Sequence, residues 1–156
     1  MERVHVFDIA SSRWYEQETT AEEDIFPRKR EEFCAVVASA EDGSSHNIYI
    51  YAGWDFSVNS DWDTLTTDVY VLSLPSFHWI PVSRGLQPRT KNKCAKVQQH
   101  YLISYRGELQ PDAPCDKNQG LQIFDISTLD WTESFTVSGE SKYTVPEKVY
   151  SIIGGE

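Results

Sequence analysis

The chain has 156 residues, 40% of them hydrophobic and 13% aromatic, and its 14 Lys plus Arg against 24 Asp plus Glu leave a net charge of -10. That much apolar material supplies a packed core and excludes wholesale disorder, and the length suits a single domain or a piece of a larger one. The acidic balance repels phosphate backbones, so general nucleic-acid binding is excluded, and no apolar run approaches the roughly 20 residues of a membrane span.

Strand patterning starts at the N-terminus. Met1-Glu-Arg-Val-His-Val-Phe-Asp has no apolar leader stretch and reads as folded strand, turning at Ala10-Ser-Ser-Arg and resuming at Trp14. A basic run, Arg28-Lys29-Arg30, follows Pro27 and precedes an apolar strand that begins at Cys34. An Asp-Gly turn signal at Asp42-Gly43 leads into Ile48-Tyr-Ile-Tyr51-Ala-Gly53. Trp54 to Asp63 lacks β alternation and reads as a loop, after which Val69–Leu74 and Trp79 restore the pattern. Pro88-Arg89 and a strand beginning at Cys94 repeat the earlier order, leading to Tyr105 and Gly107, then Leu121–Ile126 and Trp131. Val149–Ile153 before Gly154-Gly155 is expected to be the first strand of a further unit, because Gly155 follows Pro146 too closely for a second strand. No window carries a sustained 3.6-residue period, so every predicted element is a strand.

The chain repeats itself. Val4–Trp14, Val69–Trp79 and Leu121–Trp131 superimpose without gaps, each a strand, a short turn and a Trp that opens the next strand. The Cys34–Gly53 and Cys94–Gly107 segments alternate with them, both placing a Tyr two residues before the Gly and both preceded by Pro-Arg, Pro27-Arg28 and Pro88-Arg89. A unit of about 50 residues with four short strands, a Gly-terminated second strand and a late Trp resembles the kelch repeat family of β-propellers. The family's double glycine is Ala52-Gly53 in one copy and Arg106-Gly107 in the other, a departure from the motif.

This resemblance implies an all-β, partial kelch-type β-propeller. Residues 4–17 are strands three and four of one blade, 33–83 and 94–136 are full blades, and 149–153 opens another. Fewer than three blades do not close a ring, so the expectation is a piece of a larger propeller, with self-association through unpaired blade edges as the competing outcome. Trp14, Trp79, Trp131, Tyr51, Tyr105, Gly53, Gly107, Gly154 and Gly155 then read as structural repeat positions. Asp8 and Asp125 read as turn residues.

Antiparallel order sends the long loops 19–32, 54–67, 84–93 and 108–120 to one face, the expected binding surface. Its candidates are Trp54, Asp55, Phe56, Trp62 and Asp63, rigid aromatic anchors beside acceptors that suit a protein partner or a sugar ring, with simple packing against the blade as the plain alternative. Arg28, Lys29, Arg30 and Arg89 are candidates for selecting an acidic edge. No catalytic motif is present. His5, His46, His78 and His100 are scattered, and Asp55, Asp61, Asp63 and Asp68 lack the spacing of a helical calcium loop, so neither cofactor nor metal is expected. Galactose-oxidase-like members of this superfamily need paired Tyr and His near the axis. Tyr70 has no matching His and Tyr101 follows His100 within a strand, so the resemblance stops short of that site. Two other functions compete with a protein-binding scaffold: part of an enzyme whose active-site residues lie in other blades, and a carbohydrate-binding propeller at a cell surface. Cys34, Cys94 and Cys115 form no CxxC pair; a Cys94–Cys115 bridge is conceivable, small buried thiols are the simpler reading, and the compartment stays open.

Overall fold

The computed structural model describes residues 1–55, 64–85, 87–114, 120–137 and 142–154. Strands β1 (Arg3–Asp8) and β2 (Arg13–Glu18) form an antiparallel hairpin by themselves. The short β3 (Thr20–Ala21) lies parallel to β7 and completes a sheet ordered β3-β7-β6-β5-β4, with β4 Cys34–Ser39, β5 His46–Tyr51, β6 Asp68–Leu74 and β7 His78–Arg84. A second meander, β11-β10-β9-β8, comprises β8 Lys93–Val97, β9 Tyr101–Tyr105, β10 Leu121–Asp125 and β11 Asp130–Thr132.

Period-two alternation explains how these sheets stack. In β4, Cys34, Val36 and Ala38 are buried while Ala35, Val37 and Ser39 are exposed. In β6, Val69 to Ser73 are all buried because both faces of that strand are covered. Tyr49, Tyr51, Val69, Val71 and Ile80 pack towards Leu102, Phe124 and Ile126 of the second meander. Ile50, Tyr70, Leu72 and Trp79 pack the other way, onto Met1 and Val4 of the first hairpin. The central sheet is therefore the middle layer of a face-to-face stack.

Trp14, Trp79 and Trp131 share one register, opposite Phe7, Leu72 and Phe124. Trp79 donates its indole N–H to the Met1 carbonyl at 3.0 Å, and Trp131 donates to the Arg84 carbonyl at 2.8 Å. Trp79 and Trp131 thus reach back to the preceding unit. Trp14 is 68% exposed, whereas Trp79 is 3% exposed. Tyr51, 5.0 Å from Trp131, is fully buried, while its counterpart Tyr105 is 47% exposed. Both exceptions lie on the outward faces of the first and last sheets. Asp8 and Asp125 hold equivalent turns: Asp8 accepts from the Ala10 amide at 3.0 Å and Asp125 from the Ser127 amide at 2.9 Å. With the Ser11 hydroxyl adding a further bond, the Asp8 carboxyl is held below the usual range.

Two expectations are corrected. Residues 149–153 lie in α1 (Glu147–Ile153), not in a strand. Val149 and Ile153 are one turn apart, and both pack into the main core. Tertiary burial of that stripe overrides the β propensity of the Val and Ile side chains. Pro146 leads into the helix in extended conformation, and Gly154, at φ 74°, ends it. Second, Cys94 bonds Cys34 across a 5.5 Å Cα separation, so the Cys94–Cys115 pairing and the free-thiol reading both fail for Cys94. Tyr51 pairs with Cys34, but its equivalent Tyr105 pairs with Lys93, which places Cys94 one residue out of phase with Cys34. Opposite phase on adjacent stacked sheets turns the two side chains towards each other.

The segment leading into α1 is tied to the central sheet and to the second meander. Asn47 Nδ2 donates to the Tyr143 hydroxyl at 3.2 Å, Tyr143 bonds Tyr49 at 2.8 Å, and Tyr49 donates to the Ile126 carbonyl at 3.0 Å. Burial pushes the Tyr49 hydroxyl well above its ordinary value of 10.0 and raises Tyr143 as well. Both groups favour the fold in their neutral form. Their contribution is complete below pH 10.0, the unfolded value, and is lost as pH rises through the higher folded values. Tyr49→Phe is expected to cost about 1 kcal/mol at neutral pH and to flatten the decline above pH ~10, measured by urea unfolding across pH. Non-reducing peptide mapping should recover a 34–94 linkage, and the Cys34→Ser, Cys94→Ser double variant should lose about 3 kcal/mol.

Candidate functional site

Two equivalent clamps fix the stems of the long connections. Glu31 and Trp54 exchange backbone hydrogen bonds at 2.8 and 3.0 Å, as do Thr90 and Glu108 at 3.0 and 2.8 Å. Beneath the first clamp, Arg30 donates through Nη1 to the Ala52 carbonyl at 3.2 Å and to Thr66 Oγ1 at 3.0 Å. Beneath the second, Arg89 donates through Nη1 to the Arg106 carbonyl at 3.0 Å. Gly53 and Gly107 follow those carbonyls at φ 104° and 105°, and an added Cβ would come within 2.9 Å of the Glu31 carbonyl and 2.6 Å of the Thr90 carbonyl. This left-handed exit against a neighbouring backbone requires glycine.

The clamps are joined to each other. The Gly53 amide donates to the Arg89 carbonyl at 2.9 Å, Lys91 to the Glu32 carbonyl at 3.1 Å, and Thr90 Oγ1 to Glu32 Oε2 at 2.9 Å. Loop 54–67 leaves from a bonded stem: Asp55 N to the Thr64 carbonyl at 3.3 Å and Thr66 N to the Gly53 carbonyl at 3.0 Å.

The structural equivalence pairs Arg30, not Arg28, with Arg89, which corrects the Pro-Arg alignment of the two repeats. It also corrects the binding role given to both residues. Arg30 and Arg89 are buried, with their charge directed at backbone carbonyls, and Arg30 lies 5.6 Å over the Tyr70 ring. Burial lowers the Arg30 pKa, opposed by Asp68, Tyr70 and Asp55, while burial and Asp68 raise Tyr70. Neither arginine presents a cation to a partner. Arg28 and Lys29 are exposed and keep theirs. Trp54 is half-buried and Asp55 buried. Phe56, Trp62, Asp63 and Gly155 lie outside the described residues.

Sequence reading missed two features. Arg106 stacks on Tyr105 at 5.2 Å and donates Nε to its hydroxyl at 2.8 Å, close to an ion pair between Lys91 and Glu108 at 2.9 Å, and the hydrogen bond to Glu108 raises the Lys91 pKa. On the opposite face, Ser39, Glu41, Lys96, Gln99, Lys142 and Tyr143 line an open cleft of about 370 Å³, bridged by a Glu41–Lys142 ion pair. That cleft exists because the 142–145 segment folds back over the sheets, which no local pattern signals. Among the described residues, no His, Cys, Asp and Glu converge as a metal-binding group, and no helix is long and apolar enough to cross a membrane.

Urea unfolding distinguishes buried from exposed arginine. Arg89→Ala, which orphans the Arg106 carbonyl and empties a buried volume, is expected to cost about 3 kcal/mol, whereas Arg28→Ala stays within about 0.5 kcal/mol. Equal losses at the two positions would contradict the assignment.

No family model matches the chain. Across its whole length it is 31% identical, over 179 aligned positions, to a kelch repeat-containing protein of Arthroderma benhamiae. The chain spans about a quarter (26%) of that relative's length. With stacked antiparallel units, recurrent Trp and Gly positions in one register, and similarity running end to end, the molecule is an all-β propeller segment of the kelch-repeat type.

Proposed function

We propose that the chain is a non-enzymatic kelch-repeat scaffold that docks another protein through its long-loop face. The observation that carries this reading is the hydrogen-bonded stem, Gly53–Asp55 against Thr64–Thr66, seated over Arg30. A loop launched from a rigid stem loses little conformational freedom on binding. Its sequence sets Trp54, Phe56 and Trp62 near Asp61 and Asp63, aromatic anchors with neighbouring acceptors, while Asp55 is buried in the stem. Arg28 and Lys29, exposed on the adjacent 19–32 connection, supply the positive charge for an acidic edge on the partner. The kelch repeat-containing relative supports a repeat scaffold and says nothing of the partner.

A photoreactive residue at Ser60 tests this by cross-linking whatever the loop touches. Phe56→Ala with Trp62→Ala should abolish the cross-link while leaving the far-UV spectrum unchanged. Arg28→Glu with Lys29→Glu should weaken binding of the captured protein about tenfold and reduce its salt dependence. Unchanged binding in both variants, or stoichiometric copper or calcium in the purified chain, would overturn the reading.

A further inference from the structure

The turns that close the β4–β5 and β8–β9 hairpins build a second site. Strand β4 ends at Ser39 and runs into the connection 40–45, while β8 and β9 are joined by Gln98, Gln99 and His100. The cleft of about 370 Å³ lies between them, a volume within the ~300–1,000 Å³ of small-ligand sites. Its side chains are held by their neighbours. Ser39 Oγ is bonded to His46 Nδ1 at 2.8 Å. Lys142 precedes Tyr143, whose hydroxyl is fixed by Asn47 and Tyr49, and the Thr144 amide donates to Ser127 Oγ at 3.2 Å. Gln98 and Gln99 both adopt left-handed backbone, φ 52° and 64°, where glycine or asparagine would sit with less strain. Gln99 nevertheless puts a side-chain amide into the cleft.

Charge decides what the cleft takes. Lys96 and Lys142 bring two cations and Glu41, paired with Lys142, brings one anion, so the lining is positive by one charge in a chain of net charge -10. A phosphate dianion would exceed that charge and lie beside Glu41, and a zwitterionic amino acid would leave it uncompensated. Ser39, Gln99 and Glu41 add hydroxyl, amide and carboxylate groups, which between them donate to and accept from alcohols. We propose that the cleft binds a uronic acid unit of an acidic carbohydrate, with its carboxylate between Lys96 and Lys142 and its ring hydroxyls on Ser39, Gln99 and Glu41. None of these residues belongs to the connections 19–32, 54–67, 84–93 or 108–120, so the site is independent of the proposed protein-docking loops.

Amide NMR shifts of the whole chain, titrated with a linear trimer of galacturonate, test the proposal. The uncharged galactose trimer, inorganic phosphate and triglutamate serve as the other probes. The expected result is shifts gathered at residues 39–46, 96–99 and 142–144, with no response to the galactose trimer. Lys96→Gln and Lys142→Gln are each expected to weaken the galacturonate trimer about tenfold, with unchanged melting temperature because both side chains are exposed. Absence of those shifts, equal binding of the galactose trimer, or unchanged affinity in both variants overturns the inference. Tighter binding of phosphate or of triglutamate also overturns it, and would make an inorganic anion or an acidic peptide the occupant.

Discussion

Everything in this fold depends on the two-sidedness of a pleated strand. Each sheet has two faces, the central one has a neighbouring sheet on both, and the side-chain period of two decides which residue serves which neighbour. The central sheet divides its apolar residues on this basis, Tyr51 and Val71 one way, Leu72 and Trp79 the other. The disulfide obeys the same rule. Cys34 and Cys94 meet because they stand in opposite phase on consecutive sheets, and two cysteines in equivalent phase would both point along the stack in the same sense.

Charge is used differently beneath the loop stems and at the surface. Arg30 and Arg89 spend their donors on carbonyls just before Gly53 and Gly107, where the chain leaves its second strand. A planar guanidinium keeps its charge when buried and reaches more than one acceptor, which a lysine ammonium does less well. The result is a stem whose geometry is fixed from beneath, leaving Arg28 and Lys29 at the surface. A two-residue difference along one basic run separates a structural cation from an exposed one.

Much of this was legible in the sequence. Alternation, turn residues and the recurring Trp located the strands and set Trp14, Trp79 and Trp131 in one register. Three things were not. The helix at 147–153 is short and rich in β-branched residues, and only its packing against the core makes it helical. The burial of Arg30 and Arg89 depends on carbonyls 22 and 17 residues away along the chain. The disulfide depends on a one-residue phase offset that aligning the two repeats at their cysteines conceals.

The three tryptophans show how repeat position and neighbourhood separate. Local sequence puts each indole opposite the equivalent position across its hairpin (Phe7, Leu72 or Phe124), and that is all it determines. Burial comes from whatever lies on the face each Trp addresses: Met1 and Val4 for Trp79, Tyr51 for Trp131, and for Trp14 the ring of Phe7 in its own hairpin. Tyr105, exposed where Tyr51 is buried, repeats the lesson on the last sheet. In a stacked architecture the same motif therefore carries different stability at each place, because the hydrophobic contribution belongs to the interface between units rather than to the unit. The 54–67 stem stands on the sheet that is covered from both sides, so its bonds to Gly53 and Asp55 rest on the interface between units as well as on their own strand.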